Sequence, residues 1–369
     1  MKIVCSHDEL LARLQVAARG VSQRSTVQIL SGILLVAEEG AAELAATDME
    51  LSVRVPLEAR IEEPGRTVIP GRLFLEIVRA LPAEDVVLEQ PAGSGALKLS
   101  CGPAEYTLHT QSAEDFPQLP VPTGGTFTVE RAAFAATVQH VGRAASKDES
   151  RPVLTGILVE FGDGTVTMAA TDSYRLSVKE APLPGSGGQA QAIVPARALT
   201  ELARLNAGGD GLEVAIEENQ VLFGLDGIWL SARRIDGQFP DYRRLRPEEF
   251  NHEISLSKDE LLDVVRRTSL MAQRNAPVRL SFDTGSLTLA AQSQDVGEAR
   301  ESLPVEFQGE RLEIGFNPDF LRDGVESVES DTVRLKLISP LRPGLLEAAG
   351  DDDGEDKFLY LIMPVRLNV

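Results

Sequence analysis

Two stretches of the chain, 124 residues apart, carry the same apolar strand pattern running into Ala-Ala-Thr-Asp, and this repetition constrains the fold more than any other feature. SGILLVAEEGAAELAATDMELSV ends at Val53 and TGILVEFGDGTVTMAATDSYRLSV ends at Val178, with Gly32 and Gly156 124 apart, as are Asp48 and Asp172. A fainter third copy, VRLSFDTGSLTLAAQSQDVGEAR from Val278, sets Ala290 121 residues after Ala169. Phe116-Pro117 and Phe239-Pro240 repeat 123 apart. Several landmarks in one register indicate a duplicated unit of about 120 residues. The 369 residues therefore divide in three, each part large enough to bury its own core. The expected domains are 1–122, 127–246 and 250–369, with short linkers near PTGGTF and 246–252.

Each repeat opens with apolar residues at i, i+3 and i+4 spacing: DELLARLQVAARGV from Asp8, RAAFAATVQHVGRAA from Arg131 and DELLDVVRRTSLMA from Asp259. A second helix is expected to start at a proline or just before one, in PGRLFLEIVRAL from Pro70, PARALTELARL from Pro195 and NPDFLRDGVESV from Asn317. Between them lie alternating strands such as TVQILSGILLVA and LYLIMPVRL, with a hairpin turn at Gly162 to Gly164. The pattern predicts an α+β fold of three similar domains in a row.

The composition, 43% hydrophobic and 25% charged, is that of a folded globular chain. No apolar run reaches membrane-spanning length, and MKIVCSHDELLARL lacks the regions of a secretory leader, so no membrane partner and a cytoplasmic location are expected. Cys5 and Cys101 form no CxxC and suggest neither disulfide nor zinc.

The net charge of −20 argues against a phosphate-rich partner until its distribution is examined. Helical segments 8–24, 71–80, 131–147, 195–205, 259–274 and 317–330 carry +1, +1, +3, +1, 0 and −3, so acidity resides in strands, loops and the last helix. Arg72 and Arg197 each follow their proline by two residues, and Arg79 and Arg204 lie seven further on, a spacing that keeps each pair on one helix face.

Signatures of common enzymes, GxxxxGK[ST], GxGxxG, HExxH and GxSxG, do not occur, and His7, His109, His140 and His252 are scattered. No cofactor, metal site or catalytic residue is expected. The run DDDGED at 351–356 reads as a solvated loop, with an opportunistic cation the lesser reading. The rival from another class is a metal-dependent phosphodiesterase built on acidic loops; a third is a scaffold that binds only proteins.

With these residues in view the whole chain resembles the bacterial DNA polymerase sliding clamps, the beta subunits of the replicative polymerase. The specific marks are Thr171-Asp172-Ser173-Tyr174-Arg175-Leu176, the Phe-Pro-Asp-Tyr-Arg-Arg run at 239–244 and the terminal Met363-Pro364-Val365-Arg366-Leu367. The resemblance implies a head-to-tail homodimer closing a ring of six similar domains, with helices lining a central hole, antiparallel sheets outside and no catalysis. It implies sequence-independent contact with double-stranded DNA, for which the candidates are Arg24, Arg72, Arg79, Arg143 and Arg197. A dimer contact is implied at Leu73, Ile77, Tyr106 and Leu108 against Leu270. A peptide pocket for the DNA polymerase III alpha subunit, the clamp loader and other polymerases and repair proteins is implied at Leu154, Thr171, Tyr174, Arg175, Leu176, Pro240, Arg244, Leu245, Met363, Pro364, Val365 and Arg366. Ser173-Tyr174 stand where some relatives carry Gly-His, and Asn368-Val369 extend past the usual end.

Overall fold

The computed structural model describes residues 1–22, 26–38, 40–162, 164–185, 189–205, 208–272, 276–293, 297–349 and 357–367. Each third of the chain runs through one order of elements, the first with an additional strand, β5. The first comprises β1 (Lys2–Ser6), α1 (His7–Ala17), β2 (Gly32–Glu38), β3 (Ala41–Thr47), β4 (Leu51–Leu57), β5 (Arg60–Glu63), β6 (Gly65–Pro70), α2 (Gly71–Ala80), β7 (Asp85–Glu89), β8 (Ala96–Cys101) and β9 (Ala104–His109). The second comprises β10 (Phe127–Glu130), α3 (Arg131–Gly142), β11 (Gly156–Gly162), β12 (Thr165–Thr171), β13 (Arg175–Pro182), β14 (Ala190–Pro195), α4 (Ala196–Ala203), β15 (Gly211–Ile216), β16 (Gln220–Leu225) and β17 (Ile228–Arg233). The third comprises β18 (His252–Ser257), α5 (Lys258–Ser269), β19 (Val278–Asp283), β20 (Ser286–Ser293), β21 (Gly297–Pro304), β22 (Leu312–Phe316), α6 (Pro318–Ser327), β23 (Thr332–Leu337), β24 (Gly344–Ala348) and β25 (Lys357–Ile362).

Local chemistry explains the starts of the helices. Ser6 and Ser257 cap α1 and α5, their hydroxyls accepting from the Glu9 and Glu260 amides, and each is followed by an acidic pair that suits the positive helix end. Asn317 caps α6, with Pro318 in its first turn. Pro70 and Pro195 differ from expectation, because they end β6 and β14 and the helices begin one residue later. Both strands lie at sheet edges, where a missing N–H is tolerated.

The chain folds into two compact units, Met1–Arg131 with Arg204–Arg234, and Ala132–Ala203 with Ile235–Val369, so their boundary falls inside the middle repeat. The first unit holds sheets of order β5-β1-β7-β8-β9 and β10-β15-β16-β17-β4-β3-β2-β6; the second holds β14-β11-β12-β13-β25-β24-β23-β18 and β21-β20-β19-β22. The two eight-stranded sheets are equivalent, each joining the closing strands of one repeat to the hairpin strands of its predecessor. Leu230 pairs with Val53 across the first junction, and Leu176 with Leu361 across the second.

Gly32 and Gly156 owe their repetition to this packing. A Cβ at Gly32 would lie 2.3 Å from Val68 Cγ1, and one at Gly156 would lie 2.5 Å from Ile193 Cγ2, on the neighbouring strand in each case. In the second unit, buried Phe134, Val138 and Val141 of α3 contribute to the core, with Phe134 stacked on Phe161 of β11.

Candidate functional site

The repeated Ala-Ala-Thr-Asp is a turn clamp. Asp172 Oδ1 accepts from the amides of Tyr174 (2.9 Å) and Arg175 (3.0 Å), while Thr171 Oγ1 accepts from the Ser173 amide and donates to the Arg175 carbonyl (2.7 Å). Asp48 and Thr47 make the same bonds to residues 49–51. Ser173 and Met49, at one repeat position, adopt φ of +78° and +76°, a left-handed conformation that favours glycine. The clamp around Asp172 projects Tyr174 outward, 62% exposed.

Three segments distant in sequence meet beside this turn. β13 pairs with β25, and just past β25 the Met363 amide donates to the Tyr174 carbonyl at 2.8 Å. Phe239 and Tyr242 join Leu176 and Leu361 in one apolar cluster, with Val153 packed against it. Arg151 reaches the Ser173 hydroxyl at 3.0 Å, bringing in the turn that holds Leu154. Tyr174, Leu245 and Met363 leave large apolar surface exposed around this cluster, with Pro240, Arg244 and Arg366 also exposed and Pro364 and Val365 half-buried. Such a patch over a firm floor is suited to docking rather than bond chemistry.

Arg175 departs from its expected place at the pocket rim. Its guanidinium is buried, donating to Asp172 Oδ2 (3.0 Å), Asp323 Oδ2 (2.6 Å) and the Tyr360 hydroxyl (3.3 Å), with its Cζ 4.3 Å from the Phe320 ring centroid. It braces the turn from within. Thr171, Leu154 and Leu176 are likewise buried, so they support the pocket more than they surface it.

The acidity of α6 has the same origin. Asp323 and Glu326 receive Arg175, Arg143 and Arg266, while Glu329, just beyond the helix, receives Lys179 (3.0 Å) and His140 (2.5 Å). Burial pushes the Glu326 carboxyl up, but hydrogen bonds from Arg143 and Arg266 outweigh it and hold the group below the usual carboxylate range. Glu329 is held low in the same way by Lys179 and His140.

Three family models, the N-terminal, central and C-terminal domains of the DNA polymerase III beta subunit, match residues 1–120, 128–241 and 243–366. The chain belongs to the DNA polymerase III beta subunit family. It is 37% identical to the beta sliding clamp of Streptomyces coelicolor over the whole of both chains. The Bacillus subtilis DNA polymerase sliding clamp superposes with a TM-score of 0.92 at 28% identity, covering 100% of each chain. The Pseudomonas aeruginosa sliding clamp bound to griselimycin gives 0.89 at 28% identity, again over 100% of each.

Beyond the pocket, a beta subunit of this kind was expected to offer a dimer contact and DNA-facing arginines. Leu73 and Ile77, one turn apart on α2, and Tyr106 on β9 present apolar surface, as does Leu270, 80% exposed just past α5. Leu108 does not, because its side chain is buried in its own domain opposite Leu97. Arg72, Arg79 and Arg197 are exposed, Arg72 pairing with Glu76 at 2.9 Å. Arg143 is committed to Glu326, a role that sequence spacing could not signal, and Arg24 lies outside the described residues, as do 351–356 and Asn368-Val369. Among the described residues no group of three or more His, Cys, Asp or Glu could hold a metal, and no helix is long and apolar enough to cross a membrane.

Proposed function

We propose that two copies of the chain close head to tail into a ring that encircles double-stranded DNA without reading its sequence and tethers DNA polymerases to it. The observation that carries this reading is the strand order. Where β17 pairs with β4 and β25 with β13, an eight-stranded sheet is complete; β9 and β21, the corresponding strands of the first and third repeats, are left as open edges. Joined between two copies, they give β1-β7-β8-β9-β21-β20-β19-β22, the same eight-stranded order a third time, with β5 as an extra edge strand. A heterologous contact that closes by rotation yields a ring.

The helices agree with it. Arg143, one residue past α3, crosses to α6 at the internal junction, and Leu270, one residue past α5, stands at the matching place where the partner copy's α2 would offer Leu73 and Ile77. The repeats act as domains 1–122, 127–246 and 250–369. Arg72 and Arg79 on α2 and Arg197 on α4 hold phosphates through helices that line the hole, Arg24 adds a further phosphate contact, and Arg143 contributes by exchange with Glu326. The pocket beside Tyr174 and Met363 takes a short apolar peptide from the polymerase III alpha subunit, the clamp loader or repair proteins. The protein acts in the cytoplasm, catalyses nothing itself and needs no cofactor.

Retention on DNA tests this reading. Protein loaded on a closed circular duplex should co-elute with it at high salt and be released when the circle is cut once; retention that survives linearisation overturns it.

A further inference from the structure

A cleft of about 280 Å3 adjoins the pocket on the same sheet, lined by Thr167, Leu176, Val178, Tyr242, Arg246 and Leu359, with Glu180 and Arg243 completing it. Leu176 belongs to both. The ladder pairs Leu176 with Leu361 and Val178 with Leu359, which sets the cleft one side-chain row beyond the pocket on the same face. Its volume, at the low end for ligand sites, suits a side chain rather than a cofactor.

Leu176, Val178 and Tyr242 are buried and make an apolar floor, while Arg243 and Arg246 are exposed at its rim. Glu160 takes Arg243 at 2.7 Å and the Tyr242 hydroxyl at 3.0 Å. Among the described residues no ion pair engages Arg246, which stands exposed at the rim of the cleft with Glu180 on its lining. An apolar floor continuous with the pocket, with a cation at its rim, is complementary to an apolar side chain adjoining a carboxylate.

We propose that this cleft takes a flanking apolar residue of the same partner segment that fills the pocket, with an adjacent acidic side chain held by Arg246. The inference rests on the pocket reading above and adds a specificity element to it. Partners with a leucine-and-glutamate flank bind more tightly than those with the pocket motif alone.

Fluorescence anisotropy on the full-length protein tests this with labelled Gln-Leu-Ala-Leu-Phe, the same peptide extended by Leu-Glu at its carboxyl end or Glu-Leu at its amino end, and Ala-Ala extensions as controls. One Leu/Glu extension should bind about tenfold tighter than the core and its Ala-Ala counterpart, while the core peptide stays within about twofold in all proteins. Thr167→Trp, which fills the cleft, should abolish the gain. Arg246→Glu should remove the carboxylate's share, and a lysine in place of the peptide's glutamate should restore it. Circular dichroism checks the fold of both variants. Leu/Glu extensions indistinguishable from Ala-Ala at both ends, or a gain that survives both substitutions, overturn the inference while leaving the pocket intact. Failure of the core peptide itself to bind the unmodified protein overturns the pocket reading and this inference with it.

Discussion

Arg175 shows how one side chain can belong to a binding site without touching the ligand. Its guanidinium answers two carboxylates, Asp172 in the turn and Asp323 on α6, so removing it leaves both short of a partner in a largely dry setting. Arg175→Ala should cost about 3 kcal/mol in urea unfolding, and Arg175→Lys somewhat less, since an ammonium keeps the charge but lacks the planar fork. The carboxylates of Glu326 and Glu329 supply a pH dependence. Their folded pKa lies below the ordinary 4.5, so their contribution is complete above that value and is lost as pH falls through the folded pKa. The melting temperature should therefore decline in acid below about pH 4.5, and Glu326→Gln should flatten part of that decline. A decline of equal depth in the variant would assign acid sensitivity to other groups. The bracing role was not legible in sequence, where the resemblance marks Arg175 only as a pocket residue and Asp323 lies 148 residues away.

At the scale of elements the sequence was more informative. Three helices were placed by apolar spacing and three by their prolines, because these signals depend on residues a few positions apart, whereas the repeated Thr-Asp served only as a register mark and its turn came from the structure. The acidic character of α6 stood out as an exception that spacing could not explain; the cause is a set of cations on β13, on α5 and just past α3. The proline positions were off by one because edge strands accept proline at their ends. The pocket is an element-level object, made where the tail after β25 crosses the turn after β12. Met363→Ala removes an apolar side chain 44% exposed at that crossing and should weaken a Gln-Leu-x-Leu-Phe type peptide about tenfold, with the dimer unchanged. An unchanged affinity by anisotropy would move the partner site elsewhere.

For the whole molecule, the open edges β9 and β21, the exposed Leu73, Tyr106 and Leu270 and the half-buried Ile77 define what a second copy would cover. Leu73→Glu with Ile77→Glu should give a folded monomer of 39.8 kDa in sedimentation in place of a dimer of about twice that mass, because an unpaired buried charge costs several kcal/mol. Leu108→Glu should instead unfold its domain, which separates core from interface; a dimeric double variant would reject the assignment. The same strand order bears on birth as well as on assembly. Neither eight-stranded sheet is made from one repeat: β4 waits for β17, and β13 waits for β25, at residues 357–362 of 369. During synthesis at about 5–20 residues per second each unfinished edge stays bare for roughly ten to forty seconds. The nascent chain thus passes twice through a state with an unpaired strand, a template for stray pairing with its neighbours on the same messenger.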